Sequence, residues 1–259
     1  MDRSNCCLIA AHPGHELRIH GWLKSAKPKV FVLTDGSGNS GESRLSSTTN
    51  ILKQIGCELG AVFGVFSDKE IYSLIINQEF ARFIPIAESI AAVLSDDTMD
   101  YVVGDAVEGY NPSHDICRLL INAAVEVADK RRIVPIKNYD VLLVGLPNSC
   151  SPELQDQAVW VHLDEKAFEA KLTAAYSYPE LLGEVQEALK VFGKDAFKVE
   201  CLRPVKLPQQ YGILEKVPPN YEQHGESRVA QGIYTNVLRY REHMLPFMEA
   251  LKLWVENTR

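Results

Sequence analysis

The chain alternates short apolar runs with amphipathic stretches, and this alternation limits the folds that it can adopt. Apolar runs with the length of buried strands occupy residues 6–11, 30–35, 61–66, 101–106, 141–146 and 158–163. Stretches with the periodicity of amphipathic helices occupy residues 16–26, 43–56, 80–94 and 114–130. Because strand and helix follow each other repeatedly, we predict an α/β fold with a mostly parallel sheet and helices on both faces.

The last third of the chain has a different pattern. Residues 165–193 predict two helices with a break near Pro179, and residues 228–256 predict a helix bent at Pro246. Between them, residues 201–226 contain several prolines and predict a long irregular segment. Long segments of this kind often form lids or binding loops, so we expect a C-terminal cap of helices and substrate loops.

One domain is expected over residues 1–259, with the core sheet in residues 1–165 and the cap in residues 166–259. The net charge is −7 and no stretch gathers dense lysine and arginine, which argues against nucleic-acid binding. No apolar run approaches the roughly 20 residues that span a bilayer. The six cysteines are scattered without a CxxC pair, and we interpret them as reduced thiols of a cytoplasmic protein. A small molecule is therefore the expected partner, and a homo-oligomer is left open.

Three histidines stand where predicted strands end. His12 and His15 follow the first apolar run directly, and His114 opens the helix that follows the fourth. Because the carboxyl ends of parallel strands meet at one edge of a sheet, we expect these side chains to lie close together. Neutral imidazole is a common zinc ligand, and catalytic zinc has three protein ligands and one open position. The sequence therefore predicts a metal site of His12, His15 and His114 for zinc or another divalent metal such as iron.

The segments around these histidines resemble the motifs of a known enzyme family. HPGHE (12–16), LTDGSG (33–38) and NPSH (111–114) are similar in order and spacing to AHPDDE, TDG and HPDH of the PIG-L/LmbE-type N-acetyl-sugar deacetylases. The resemblance covers about residues 6–130. It implies a Rossmann-like three-layer sandwich, a bound zinc ion, and removal of the acetyl group from N-acetylglucosamine-type substrates.

Residue by residue, the resemblance implies roles for several side chains. His12 and His114 match zinc ligands of the family, and His15 stands where the family has a ligand Asp. Asp35 matches the Asp of the TDG motif, and Arg44 lies where the family often has a substrate-binding Arg. These two residues, together with His224 in the C-terminal segment, are our candidates for substrate binding.

The sequence also departs from the family at positions that matter for catalysis. Gly14 occupies the position of the general-base Asp, and a glycine has no side chain that accepts a proton. We therefore expect another carboxylate, Glu108 or Asp105 on the loop that leads to the third histidine, to act as the base. Tyr110 or Asn111, the latter in place of a family His, is expected to stabilise the oxyanion.

The function expected from the sequence is metal-dependent hydrolysis of an N-acetylated sugar or a sugar-containing small molecule. Two alternatives remain open at this point. In the first, the loss of the base at Gly14 is not compensated, and the protein binds a sugar or metabolite without hydrolysing it. In the second, the same metal centre hydrolyses a different C–N bond.

Overall fold

The structure is a computed structural model that describes residues 5–38, 40–206 and 218–258. Its strands are β1 (Cys6–Ala10), β2 (Lys29–Thr34), β3 (Glu58–Phe66), β4 (Tyr101–Asp105), β5 (Lys137–Val141), β6 (Val159–His162) and β7 (Val199–Pro204). They form a seven-stranded sheet in the order β3-β2-β1-β4-β5-β7-β6. The first five strands pair in parallel, and β7 runs antiparallel to β5 and β6. The predicted mostly parallel α/β sheet is confirmed.

The helices lie between and after these strands. They are α1 (His20–Ala26), α2 (Leu45–Ile55), α3 (Asp68–Ile76), α4 (Ile84–Leu94), α5 (Pro112–Asp129), α6 (Glu165–Tyr176), α7 (Leu182–Phe192), α8 (Asn220–Ala230) and α9 (Leu245–Asn257). A short 3-10 helix, His15–Ile19, precedes α1, and a π-helical turn, Tyr240–Met244, precedes α9. Within the described ranges, no helix combines the length and apolarity needed to cross a membrane.

Alternate residues of β1 show how the three layers form. Cys6 and Leu8 pack with α1 and α2 in one core cluster, whereas Cys7 and Ile9 pack with α4, α5 and α9 in another. Successive side chains of a strand point to opposite faces, so β1 supplies apolar surface to both helical layers. This accounts for the complete burial of β1 and gives the three-layer α/β arrangement. All six cysteines are free thiols.

Helix α5 is held against β4 and β5 by a fully buried arginine. The guanidinium of Arg118 donates to the backbone oxygen of Asp105, to Oδ1 of Asn138 at 2.9 Å and to the backbone oxygen of Tyr139 at 3.0 Å. A buried charge requires such partners, because an unpaired one costs several kcal/mol. The contact fixes the N-terminal part of α5 beside the end of β4.

Several elements differ from the sequence prediction. A strand was predicted over residues 141–146. Instead, β5 ends at Val141, and the apolar residues after it form a loop. Strand β7 lies in the segment 201–226, which was predicted to be irregular; residues 207–217 of that segment lie outside the described residues. Strand β7 also belongs to the sheet although it falls in the predicted cap, and the division into core and cap stays a prediction.

The prediction of one bent helix over residues 228–256 was also wrong. Helix α8 ends at Ala230, and α9 begins only at Leu245. Pro246 lies in the first turn of α9 rather than at a bend within a helix. Proline is tolerated there because the first-turn N–H groups have no partner inside the helix. The two helices predicted over 165–193, with a break near Pro179, are present as α6 and α7.

Candidate metal centre

The three predicted histidines converge at the carboxyl edge of the sheet. His12 and His15 follow β1, and His114 lies in the first turn of α5 after β4. One ring nitrogen from each can be chosen so that all three lie within 4.8 Å of one another. The ring centroids are 4.7 Å apart for His15 and His114 and 5.2 Å apart for His12 and His15. Among the described residues, this arrangement offers three ligand atoms to a single metal ion.

The turn after β1 directs His12 and His15 to the same side. Gly14 has a left-handed backbone with φ 103°, which glycine adopts without steric cost. The carboxylate of Glu16 accepts the Gly14 N–H at 2.8 Å and the hydroxyl of Thr48 at 2.6 Å. Burial raises the pKa of Glu16, and these hydrogen bonds offset part of that effect. Glu16 thus supports the loop that carries His12 and His15.

The ring of His12 is held from behind by two neighbouring side chains. Its Nδ1 lies 2.7 Å from Oγ1 of Thr34 and 2.9 Å from Oδ1 of Asp68. Burial alone would raise the pKa of Asp68, but the hydrogen bond and charge of His12, with the contacts of Thr34 and the Gly38 N–H, hold it well below its usual range. Asp68 is therefore ionised, and its Oδ1 lies close to the His12 ring without a well-aligned hydrogen bond. No motif in the sequence indicated this residue.

The ring of His15 has a similar partner. Its Nδ1 lies 2.9 Å from Oδ2 of Asp105, and the same oxygen accepts the Ala11 N–H at 2.7 Å. Burial would raise the pKa of Asp105, but the charge and hydrogen bond of His15 outweigh it and lower the pKa. The side chain is only 2% exposed. Asp105, a predicted base, therefore lies behind a histidine and is shielded from solvent.

His114 differs from the other two because its Nδ1 is buried without a hydrogen-bond partner. Burial lowers the pKa of His114 well below its usual value, and the nearby His15 and His12 rings act in the same direction. The ring is therefore neutral at physiological pH. Leaving a buried nitrogen unpaired costs about 1–3 kcal/mol. A bound metal would satisfy such an atom, and three imidazoles are a donor set that suits zinc and iron.

The other predicted catalytic residues lie on the loop between β4 and α5. Asn111 caps α5, and its Nδ2 lies 3.4 Å from Nε2 of His12, so the structure brings it to the triad. Tyr110 is 57% exposed. Glu108 instead directs its carboxylate to the loop after β5, where it accepts the N–H groups of Leu143 at 2.9 Å and Val144 at 3.1 Å.

Glu108 nevertheless keeps one property of an acid–base group. Burial raises its pKa, and the backbone N–H groups of the β5 loop and the charges of Arg203 and Arg18 oppose this only in part. A raised pKa makes a carboxylate a stronger base, which is the direction that proton transfer requires.

The predicted substrate-binding residues are divided between two places. Asp35 accepts the Ser37 N–H at 2.9 Å, and its backbone oxygen accepts the Arg44 N–H at 2.8 Å, so both candidates belong to the loop after β2. His224 is exposed on α8, with its ring 6.5 Å from that of Tyr234.

The space beside Gly14 is filled by the segment between α6 and α7. A Cβ atom at this position would lie 2.2 Å from Cδ1 of Leu181 and 3.7 Å from the ring of Tyr178. The hydroxyl of Tyr178 in turn contacts Thr48 at 3.0 Å. At the position where the deacetylase motif carries its Asp, a side chain would therefore require Leu181 to move.

No protein-family model matches the sequence, and no curated protein does either. Among solved structures, the chain is similar to the zinc-inhibited form of teicoplanin deacetylase Orf2, with 12% identity, a TM-score of 0.53, and coverage of 78% of this chain and 97% of that one. A triple mutant of a deacetylase from the teicoplanin biosynthetic pathway aligns with 14% identity, a TM-score of 0.49 and the same coverage of 78% and 97%. The likeness to the zinc-inhibited enzyme establishes a shared fold.

Proposed function

We propose that this protein is a metal-dependent hydrolase that cleaves an amide, with the metal held by His12, His15 and His114. The observation that carries the proposal is the convergence of three imidazoles, one of which has a buried and unpaired Nδ1. For the substrate we propose an N-acetylated sugar or a sugar-containing small molecule. The fold shared with a solved deacetylase supports an acetyl group as the part that is removed.

The donor set fits zinc or another divalent metal such as iron. When bound, such an ion polarises the amide carbonyl and lowers the pKa of a coordinated water to about 7. The protein contributes the orientation of the ligands. Oδ2 of Asp105 is hydrogen-bonded to Nδ1 of His15, and Oδ1 of Asp68 lies 2.9 Å from Nδ1 of His12, so Nε2 of each ring is the nitrogen that we propose as the metal ligand.

For the proton transfer we assign Glu108. Its two oxygens accept from the backbone, but a carboxylate has about four acceptor positions and so retains capacity for a proton. Water adds to the amide carbon, Glu108 takes one of its protons, and the same proton passes to the nitrogen as the C–N bond breaks. The products are acetate and a free amine. Asp105 orients His15 in this scheme rather than acting as the base.

We propose that the remaining candidates contact the substrate. Asn111 presents its amide N–H groups beside His12, where they can donate to the developing oxyanion, and Tyr110 is the second candidate for this role. Arg44 and Asp35, on the loop after β2, are proposed to bind sugar hydroxyls together with His224.

One observation favours a second function, which is binding without hydrolysis. Gly14 carries no base, and Leu181 fills the space in which a base would stand. If Glu108 only anchors the loop after β5, the centre would hold a metal and recognise a sugar without cleaving it.

Acetate release from a panel of N-acetylated sugars separates these functions. The metal-loaded wild type is compared with His12→Ala, Glu108→Gln and, as a control outside the site, His162→Ala. The hydrolase predicts that His12→Ala loses metal and activity, and that Glu108→Gln keeps its metal but loses about 100-fold or more in kcat. The control should match the wild type. Calorimetric sugar binding without acetate release would instead establish the binding function.

A further inference from the structure

We propose that Arg18 is a positioning residue, which holds the loop after β5 against Glu108 and acts on proton transfer through this loop. The inference rests on the function proposed above, in which Glu108 takes the proton. None of the motifs in the sequence contains Arg18. Its role follows from the backbone groups that its guanidinium contacts.

The guanidinium of Arg18 binds the loop after β5 at two points. Its Nε donates to the backbone oxygen of Leu142 at 3.1 Å, and its Nη2 donates to the backbone oxygen of Gly145 at 2.7 Å. A guanidinium carries five N–H donors in one plane and can therefore serve two carbonyl oxygens at once. Because the donor is charged, these bonds are stronger than those between neutral groups.

Glu108 binds the same stretch of backbone through the two N–H groups that lie between these carbonyls. Its carboxylate accepts from Leu143 at 2.9 Å and from Val144 at 3.1 Å. Residues 142–145 are thus held by a guanidinium at both ends and by a carboxylate in the middle. Since both side chains bind one short segment, the loss of Arg18 would release the groups that fix the carboxylate of Glu108.

The position of Arg18 is set by contacts that do not involve this loop. Its backbone oxygen accepts from Nζ of Lys171 at 2.8 Å, and its guanidinium carbon lies 5.9 Å from the centroid of the Phe197 ring. Burial lowers the pKa of Arg18 to about 10, and the negative charge of Glu108 opposes this effect. Arg18 is therefore a cation at physiological pH, held in place from the side opposite to the loop's own contacts with Glu108.

The sheet places this loop beside the proposed metal centre. Strands β1, β4 and β5 are adjacent and parallel, so the segments that follow them begin at the same edge. Val141, the last residue of β5, pairs with Asp105, whose carboxylate lies 2.9 Å from Nδ1 of His15. Arg18 belongs to the same 3-10 helix as His15. The contacts of Arg18 and Glu108 therefore connect the segments after all three strands.

Hydrogen exchange of the loop amides tests the contact itself. The wild type is compared with Arg18→Met and, as a control, with Arg82→Met, which removes an exposed arginine that pairs with Glu70 on the surface. The amides of residues 143 and 144 are bonded to Glu108, so they should be protected in the wild type and exchange about 10-fold faster or more in Arg18→Met. Arg82→Met should match the wild type. Equal exchange of these amides in all three proteins would overturn the proposal.

Two further readouts separate the positioning of Glu108 from a merely structural effect. Carbon-13 NMR of the metal-free protein reports the pKa of the Glu108 carboxyl, which should rise in Arg18→Met because a nearby positive charge is lost. Acetate release should show a kcat about 10–100-fold lower with KM within about twofold, because the base is displaced while the substrate contacts remain. An unchanged pKa together with an unchanged kcat would contradict the positioning role.

Arg18→Lys provides a conservative variant, which also serves if Arg18→Met fails to fold. Lysine keeps the charge, so the pKa of Glu108 should stay near its wild-type value and kcat should be partly restored. A single ammonium group does not reproduce the two-pronged contact of a guanidinium, so the loop amides should still exchange faster than in the wild type. If Arg18→Lys folds with wild-type exchange and wild-type kcat, the proposal is wrong.

The proposed function fails in a different way. A wild type that releases no acetate from any N-acetylated sugar contradicts the hydrolase, while exchange of the loop amides still decides whether Arg18 holds the loop. Acetate release by the wild type with an unchanged kcat in Arg18→Met contradicts the role of Arg18 and leaves the hydrolase in place.

Discussion

At the scale of single residues, Gly14 separates this site most clearly from the deacetylase motif that its sequence resembles. The residue has φ 103°, and its missing side chain leaves room for Leu181. The loss of the motif's Asp is therefore accompanied by a change in the neighbouring segment. A base introduced here would displace Leu181 and strain the backbone, and we therefore assign proton transfer to Glu108.

We predict that Gly14→Asp lowers the free energy of unfolding by about 3 kcal/mol and does not increase activity, since it combines left-handed strain with overpacking. Gly41→Asp is the matched control, because Gly41 has φ 74° but a Cβ added there would meet nothing within 4 Å. It should cost only about 1 kcal/mol. Urea denaturation measures both values. Equal effects in the two variants would show that Leu181 does not close the position.

The contrast between the histidines and Asp68 shows what the sequence can reveal about a site. His12, His15 and His114 lie in short segments directly after predicted strands, so their convergence follows from the parallel sheet. Asp68 comes after β3, but its helix α3 was not predicted, and an acid in a short polar segment carries no signal by itself. The contact depends on the register of β3 against β2, which only the structure defines.

At the scale of elements, helix α6 is joined to the sheet by a buried ion pair. Nζ of Lys171 in α6 lies 2.8 Å from Oε1 of Glu200 in β7, and the carboxylate also accepts the N–H groups of Gly21 and Trp22 in α1. Burial lowers the pKa of Lys171, while the charge and hydrogen bond of Glu200 oppose that effect. The pair therefore links three elements that are distant in sequence.

We predict that Lys171→Met destabilises the protein by about 3 kcal/mol, because it leaves the carboxylate of Glu200 buried without its counter-ion. The control is Lys198→Met, which removes a lysine paired with the exposed Glu165 and Asp195 and should leave the stability close to that of the wild type. Thermal or urea unfolding of both variants checks the difference. A loss in Lys171→Met no larger than in Lys198→Met would show that the pair does not hold α6 on the sheet.

Strand β7 illustrates why element prediction was incomplete. Its sequence, VECLRP, carries a glutamate, an arginine and a proline, so it lacks the continuous apolar character of the parallel strands. The buried Glu200 is tolerated because Lys171 and two backbone N–H groups compensate it, and these partners lie far away in sequence. The run 141–146 shows the opposite error. Its apolar residues predict a strand, but the residues after Val141 form a loop in which Val144 and Leu146 are partly exposed.

At the scale of the whole molecule, His20 connects stability to pH. Burial lowers the pKa of His20 from 6.5 to about 4, with smaller contributions from the charges of Lys171 and Lys24. The unfolded chain therefore binds a proton at a higher pH than the folded protein does. The contribution of His20 to stability is complete above about pH 6.5 and is lost as the pH falls towards 4.

Relative to His20→Asn, the wild type should lose about 1–2 kcal/mol of unfolding free energy between pH 7 and pH 4.5. His162→Asn, which replaces an exposed histidine, serves as the control and should follow the wild type across this range. Urea denaturation at several pH values provides the comparison. If the unfolding free energy of His20→Asn depends on pH in the same way as that of the wild type, the buried neutral imidazole does not cause the loss of stability at low pH.

The central claim, that the three histidines form a metal centre, is tested most directly by elemental analysis of the purified protein beside His15→Ala. We predict about one equivalent of zinc or iron in the wild type and its loss in the variant, because catalytic sites of this kind depend on three protein ligands. A wild type that takes up no divalent metal under any loading condition would contradict the metal centre and the hydrolase proposal with it.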